Sequence, residues 1–418
     1  MPISTDKEAI NELLTRGVNE VIGKKHLEEQ LLSGKQLRVK LGIDPTSPNL
    51  HIGRSVTLLK LRDFQKLGHQ VVFIVGDFTG VIGDTSDKES ERKMLEDQEI
   101  AKNMKTYVEQ AGKILDIEKA EVQHNSTWLK KLGFAEIGRL ANYFSLAEFI
   151  ARENISKRLK EGSRISLREL LYPLMQGYDS VAVRSDVELG GTDQRFNLLA
   201  GREIQKHYGQ ESQDIVMTNL VLGTDGRKMS SSWGNTINLT DEPNDMFGKV
   251  MSVPDSLIIT YFEHCTRLPM EKVENYARQL GEEKSSSTTP FPQQPFDPEL
   301  MVEGRESTRN PRDIKMLLAR ELVRMYWGEE KAKEAQDYFV NVFQKKTTPE
   351  EMPTAKVAGM TIVDALVECK IASSKTNARQ LVEQGAVKID EEVVKTIEQK
   401  VKVGQIIQKG KRFFVRVV

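Results

Sequence analysis

The stretch from Leu37 to Ser55, LRVKLGIDPTSPNLHIGRS, limits what this chain can fold into more than any other. Leu37 to Leu41 is a β-rich run that stops at Gly42. A proline-punctuated loop then carries Asp44 and Thr46, and His51-Ile52-Gly53 opens an apolar-periodic helix, Val56 to Leu67. A strand feeding a polar loop and a helix N-terminus gathers unpaired backbone N–H groups and the positive end of a helix dipole at the carboxyl edge of a sheet, where anions bind. The next segment repeats the arrangement. Gln70 to Val75 is an unbroken apolar run, the pattern of a strand buried on both faces, and it ends in a loop of small residues and carboxylates, Gly76 to Ser86. Two such units predict a parallel, Rossmann-like α/β sheet with one ligand-binding edge.

With 418 residues the chain exceeds a single core of usual size, so two or three domains are expected. No apolar run approaches the roughly 18 residues of a membrane helix, and Met1 to Glu20 lacks a signal-peptide core, so the expectation is a cytoplasmic protein without a membrane partner. Cys265 and Cys369 are isolated and the six histidines are scattered, so no protein-bound metal is expected. The net charge of −1 hides an asymmetry. Val357 to Val418 holds 11 Lys/Arg against 7 Asp/Glu, a balance of +4, which leaves −5 for the rest. A basic terminal module on a mildly acidic body suggests a polyanionic partner.

The expected organisation is a Rossmann-like α/β domain over 1–235, an α-helical domain over 236–345 and a small basic domain over 357–418. Residues 6–32 have helical spacing and read as a pair of short helices. Asn125 to Leu171 reads as successive helices with more apolar residues than one face needs, among them Leu140, Tyr143, Phe144, Leu146 and Phe149. Residues 282–311 hold five of the 14 prolines and a Ser/Thr run, and read as an exposed, partly disordered excursion.

Three further motifs carry chemistry. On a helix, Tyr172, Gln176 and Asp179 fall at i, i+4 and i+7, a polar stripe among Leu170, Leu171, Leu174 and Met175, and such a stripe calls for a ligand. Gly190-Gly191-Thr192-Asp193-Gln194 is a turn and helix start whose glycines allow close backbone approach, with Thr192 or Asp193 suited to the N-cap. Lys228-Met229-Ser230-Ser231-Ser232, after the Asp225-Gly226-Arg227 turn, suits a mobile clamp on polyphosphate.

His51-Ile-Gly-Arg54 and Lys228-Met-Ser-Ser-Ser232 resemble the paired "HIGH" and "KMSKS" signatures of class I aminoacyl-tRNA synthetases. Along essentially the whole chain the motifs are similar to those of bacterial tyrosyl-tRNA synthetases: Tyr172-x-x-x-Gln176-x-x-Asp179, Gly190 to Gln194, and Gly83-Asp84. The resemblance implies ATP-dependent activation of tyrosine to an adenylate with release of pyrophosphate, then transfer to the 3′ end of tRNA(Tyr), with Mg²⁺ accompanying the ATP. It assigns Thr46, His51, Lys228 and Ser231 to catalysis, with Ser230 and Ser232 as hydroxyl support. Asp84, Tyr172, Gln176, Asp179 and Gln194 go to tyrosine, with Thr79 nearby. Gly42, Asp44, His51, Gly53, Arg54, Gly191, Asp193, Lys228, Met229 and Ser230 go to ATP. It implies an inserted dimer-contact region at about 120–185 and a homodimer. The segment after Thr361, two short helices and a small β-hairpin pattern, resembles an S4-type RNA-binding domain, which assigns Lys370, Lys375, Arg379 and Lys388 to RNA.

Three positions depart from the family pattern. Arg54 replaces the last histidine of the first signature, Ser231 replaces a lysine in the second, and Lys40 stands where one branch of the family has a tyrosine that reads the phenol. The rival readings are a tryptophanyl-tRNA synthetase, disfavoured by the S4-like tail and the Gln176/Asp179 pair, and a catalytically inactive RNA-binding paralogue, disfavoured by the joint presence of His51, Asp84, Asp179, Asp193 and Lys228.

Overall fold

The computed structural model describes residues 2–86, 94–281, 310–343, 352–410 and 413–418. The expected excursion at 282–311 lies almost wholly outside them. By internal contacts the chain divides into two compact units, Met1–Asp241 with Val253–Leu318, and Glu242–Ser252 with Ala319–Val418. The helices expected at 236–345 are therefore shared between the units.

The first unit is built on a six-stranded sheet: β1 Val18–Ile22, β2 Arg38–Ile43, β3 Gln70–Val75, β4 Glu121–His124, β5 Val187–Gly191 and β6 Asp214–Thr218, in the order β1-β6-β5-β2-β3-β4. All neighbours pair in parallel except β1, which runs antiparallel to β6. The unbroken apolar run of β3 is buried along nearly its whole length, and β6 is buried throughout, as strands covered on both faces require. From β2 the chain winds through β3 to β4 on one side, and it returns through β5 and β6 on the other. The order thus reverses between β2 and β5, and a crevice opens beyond their carboxyl ends.

The helix pair expected at 6–32 is corrected. Helices Lys7–Thr15 and Lys24–Leu32 form, but β1 lies between them. Five residues, flanked by Gly17 and Gly23 in left-handed conformations, are too few to break the helical period of their neighbours. Within 120–185, Glu121–His124 is an edge strand of the sheet, and Leu167–Val183 packs on the Arg195–His207 helix. Of the short helices between them, Ser126–Leu129 packs Trp128 against Val72 and Ile74 of β3.

Leu167–Val183 is held at its start by a capping box of Ser166 and Glu169, and the Glu169 carboxylate also receives Arg158, 2.6 Å away, with neither side chain exposed. That pinned start fixes the rotation of the helix, so Tyr172 and Asp179 face inward.

In the second unit, residues 354–417 form a five-stranded sheet (β7 Thr354–Ala355, β8 Val387–Ile389, β9 Glu392–Val393, β10 Ile406–Lys409, β11 Phe413–Val417, order β7-β11-β10-β8-β9) with helices Ile362–Glu368 and Lys375–Glu383. They share a separate apolar core that includes Ile362, Leu366, Ala378, Val387 and Ile407. Two helices followed by small antiparallel strands match the sequence expectation. Among the described residues no helix is long and apolar enough to cross a membrane.

Candidate active site

A cleft of about 790 Å³ opens at the carboxyl edge of the first sheet. Of the residues expected to serve catalysis, tyrosine or ATP, those that line it are Gly42, Asp44, Thr46, His51, Gly53 and Arg54 after β2, Asp84 after β3, Tyr172 and Gln176, Gly191, Asp193 and Gln194 after β5, and Lys228 to Ser231, whereas Asp179 and Thr79 lie outside the lining. Four loops distant in sequence meet because four parallel strands end at one edge. The volume is ample for an amino acid and a nucleotide together.

One end of the cleft is set up for anions. The Ile52–Lys66 helix begins there with His51 as N-cap in extended conformation, so the positive end of the helix dipole lies at the cleft. The Arg54 guanidinium donates to the Asp44 carbonyl (3.0 Å), the Tyr107 hydroxyl (3.2 Å) and Thr46 Oγ1 (3.2 Å), all neutral acceptors. Its charge is therefore kept at the cleft wall. Lys228 lies across the cleft, 2.9 Å from Asp193. The expected N-cap role of Thr192 or Asp193 is corrected: a 3-10 turn, Thr192–Gln194, precedes the Arg195–His207 helix, and no side chain caps it. Asp193 is instead available to hold the Lys228 ammonium.

Asn235, which the sequence reading missed, organises the lysine loop. Its side chain accepts from the Ser230 N–H (2.8 Å) and donates to the Lys228 carbonyl (3.0 Å) and to Asp225 (2.8 Å). The Asn235 amide, with the Arg227 N–H and guanidinium, holds the Asp225 carboxyl down at about 2. Ser231 is exposed and reaches Ser47 Oγ at 3.5 Å.

The other end of the cleft is a wall of acceptors. Asp44 accepts from Thr79 (2.7 Å) and from the Tyr172 hydroxyl (2.9 Å), and burial beside these carboxylates pushes the Tyr172 phenol well above its usual range. Gly76 makes the first contact possible, because a Cβ there would lie 2.1 Å from Asp44 Oδ1. Asp84 accepts from Gln194 Nε2 at 2.6 Å, and also from Ser86. Asn197, another residue the sequence did not single out, donates to Gln194 Oε1 (3.0 Å) and Gln176 Oε1 (3.1 Å).

Asp179 sits one turn beyond Gln176 on the same helix, 4% exposed and outside the lining of the open cleft. Its carboxylate accepts from Trp128 Nε1 at 2.7 Å and Asn125 Nδ2 at 3.2 Å. Burial pushes this carboxyl up to about 7, against the lowering pull of the Lys40 charge and of the two donors. Trp128 and Asn125 come from the Glu121–Leu129 stretch, and nothing in their sequence spacing ties them to Asp179.

A parallel sheet with a nucleotide-sized crevice at its topological switch point, flanked by a helix N-terminus and a lysine-bearing loop, defines a nucleotide-using α/β enzyme. The model of the tRNA synthetases class I (W and Y) matches residues 32–344, and the chain belongs to that family. The model of the tyrosine--tRNA ligase SYY-like C-terminal domain matches residues 344–417. A tyrosine--tRNA ligase of Thermotoga maritima is 46% identical over 97% of this chain and 96% of its own length, and one of Carboxydothermus hydrogenoformans is 42% identical over 100% and 99%. Among solved structures, a C-terminally truncated mitochondrial tyrosyl-tRNA synthetase of Aspergillus nidulans superposes with a TM-score of 0.62 at 21% identity, covering 81% of this chain and 95% of that one. At that identity the likeness supports the fold.

Proposed function

We infer that the chain is a tyrosine–tRNA ligase: it joins tyrosine to ATP as tyrosyl-adenylate, releases pyrophosphate, and passes the tyrosyl group to the 3′ end of tRNA(Tyr). The observation that carries this reading is the division of one cleft into a cation-rich end and an acceptor-lined end. It is supported by the tyrosine-type C-terminal match and the full-length relatives, which also set aside the tryptophan reading.

Neither step needs a protein nucleophile. The tyrosine carboxylate attacks the α-phosphate in line, and the protein's task is to hold two anionic reactants together and to stabilise the charge that builds on the phosphates. Lys228, Arg54, His51, Thr46 and the N-terminus of Ile52–Lys66 serve the triphosphate, which arrives as its Mg²⁺ complex. Ser230, Ser231 and Met229 belong to the loop that carries Lys228, and Gly42, Gly53 and Gly191 keep the nucleotide path open. Asp193 exchanges its bond with Lys228 for the ribose hydroxyls as the lysine moves to phosphate.

The substrate ammonium lies against Asp84, Tyr172 and Gln176, with Gln194 holding Asp84 in place. The phenol hydroxyl donates to Asp179 at the closed end. Phenylalanine lacks that donor and forgoes a hydrogen bond to a buried carboxyl, a loss of about 1.5–3 kcal/mol when the acceptor is charged.

The C-terminal module serves tRNA. Lys370, Lys375 and Arg379 are exposed at or near its second helix, Lys375 is held 2.8 Å from Asp364, and Lys388 lies half-buried on β8. The helices between 126 and 171 leave Phe134 93% and Leu167 79% exposed, together with Leu146 and Leu159. An apolar surface of this kind supports a homodimer contact. Charging of tRNA with labelled amino acids tests the reading. Tyrosine alone is expected to be transferred, and transfer of tryptophan, or none from folded protein, overturns it.

A further inference from the structure

Beneath the acceptor wall lies a buried ion pair that the reaction as described does not use. Lys40 on β2 and Glu188 on β5 are register partners in the parallel sheet, each 1% exposed, with Nζ 3.2 Å from Oε1. Lys40 also donates to Ser180 Oγ (2.6 Å) and to the Gln176 carbonyl (2.9 Å). Glu188 accepts from Gln176 Nε2 (3.1 Å), from Ser180 Oγ (3.2 Å) and from Gln213. The pair is crowded in: a Cβ on Gly201 would lie 2.9 Å from Ser180 Oγ and 3.2 Å from Glu188 Oε2.

A carboxylate can only accept hydrogen bonds, so whichever amide faces it must present nitrogen. Two carboxylates bracket a run of three amides here. Asp84 fixes Gln194 with Nε2 toward itself, which turns Gln194 Oε1 to Asn197. Glu188 fixes Gln176, a residue that lines the cleft, with Nε2 toward itself, which turns Gln176 Oε1 to Asn197. Asn197 Nδ2 donates to both oxygens, and turning any one amide alone sets donor against donor or acceptor against acceptor.

We propose that Glu188, held in place by Lys40, is a positioning residue that sets the polarity of the Gln176 amide, so that this wall offers oxygen to a primary ammonium and rejects a ligand that lacks one. The pair would thereby select α-amino acids over their deaminated analogues. Lys40 supplies the charge without which a carboxylate this deeply buried would be costly to keep. The proposal rests on the assignment of Gln176 to the substrate ammonium made above.

The test is Glu188→Gln in the full-length chain, with tyrosine-dependent ATP–pyrophosphate exchange as the assay and 3-(4-hydroxyphenyl)propanoate, which is tyrosine without its amine, as competitive inhibitor. A glutamine at 188 offers a donor as well as an acceptor, so Gln176 Nε2 loses the charged acceptor that fixes it and the amide is held by Asn197 alone. The expected result is a KM for tyrosine raised about tenfold or more, as for one lost charge-assisted hydrogen bond. The inhibition constant of the deaminated analogue should move less than about twofold, and the KM for ATP should stay unchanged. Because Glu188→Gln leaves Lys40 buried and unpaired, Lys40→Met/Glu188→Gln, which removes both charges, is measured beside it and should show the same split. Equal weakening of tyrosine and analogue in the folded variants, or an unchanged KM for tyrosine, overturns the proposal. Wild-type protein that exchanges pyrophosphate with no amino acid would instead overturn the underlying functional reading, before any variant is compared.

Discussion

Around the cleft, the polar groups that matter are buried or half-buried and held by one another. Asp179 receives Trp128 and Asn125, Asp44 receives Thr79 and Tyr172, and Glu188 lies beside Lys40. In the C-terminal module the buried core is apolar, while Lys370, Lys375 and Arg379 stand at the surface. The difference follows from the ligands. A substrate as small as tyrosine offers few contacts, so each must be preorganised and dry to discriminate. A nucleic acid offers a long row of phosphates, and exposed flexible cations suffice to hold it, at the expense of sensitivity to salt.

The comparison breaks most visibly at Lys228. Lys228→Ala should slow tyrosine-dependent pyrophosphate exchange by roughly 100- to 1000-fold with little change in the KM for tyrosine, as for a group that acts on charge developing in the transition state. A proportionate rise in that KM would place the lysine in amino-acid binding instead. Removing residues 357–418 should leave exchange within about twofold while charging of tRNA falls by about 100-fold or more, since the module has its own core. Equal loss of both activities would mean that the two regions are not separable.

Asp179 sharpens the comparison through stability. Its carboxyl stands at about 7 in the folded chain against 3.8 for an ordinary aspartate. Between those values the folded state holds the extra proton, so stability falls as pH rises from 4 to 7, by up to about 4 kcal/mol from this group. Melting curves of Asp179→Asn should lack that part of the slope, and a slope identical to wild type would show that the group titrates normally. The smallest effect belongs to the module surface. Arg379→Ala should weaken tRNA binding only a few-fold and reduce the slope of log affinity against log salt by about one, leaving exchange untouched. An unchanged slope would take Arg379 off the RNA path.

The two regions were also unequally legible in the sequence. The cleft's outline could be read because strand–loop–helix junctions carry local signals: His51 beginning a helix, a glycine pair before Asp193, a lysine on a serine-rich turn. The stripe of Tyr172, Gln176 and Asp179 needed only helical spacing. What supports those residues could not be read the same way, since Asn125, Trp128, Asn197 and Asn235 reach their partners through tertiary contacts between distant segments. The Lys40–Glu188 pair did leave a trace. Glu188 is the one charge in β5 and Lys40 the one fully buried charge in β2, where Arg38 stands half-buried at the strand's start, and two such charges of opposite sign among apolar residues are what a buried cross-strand pair leaves in sequence. Strand β1 left none, being shorter than the helical windows on either side.

The measurement closest to the central claim, that one buried carboxylate behind the cleft reads the tyrosine hydroxyl, is the ratio of exchange efficiency with tyrosine to that with phenylalanine, in wild type and in Asp179→Ala. The account predicts a large ratio in the wild type that collapses by about 100-fold in the variant, through loss of activity with tyrosine, while the variant stays folded. A variant that keeps the wild-type ratio would contradict it, and would make Asp179 a structural partner of Trp128 and Asn125 with no part in choosing the substrate.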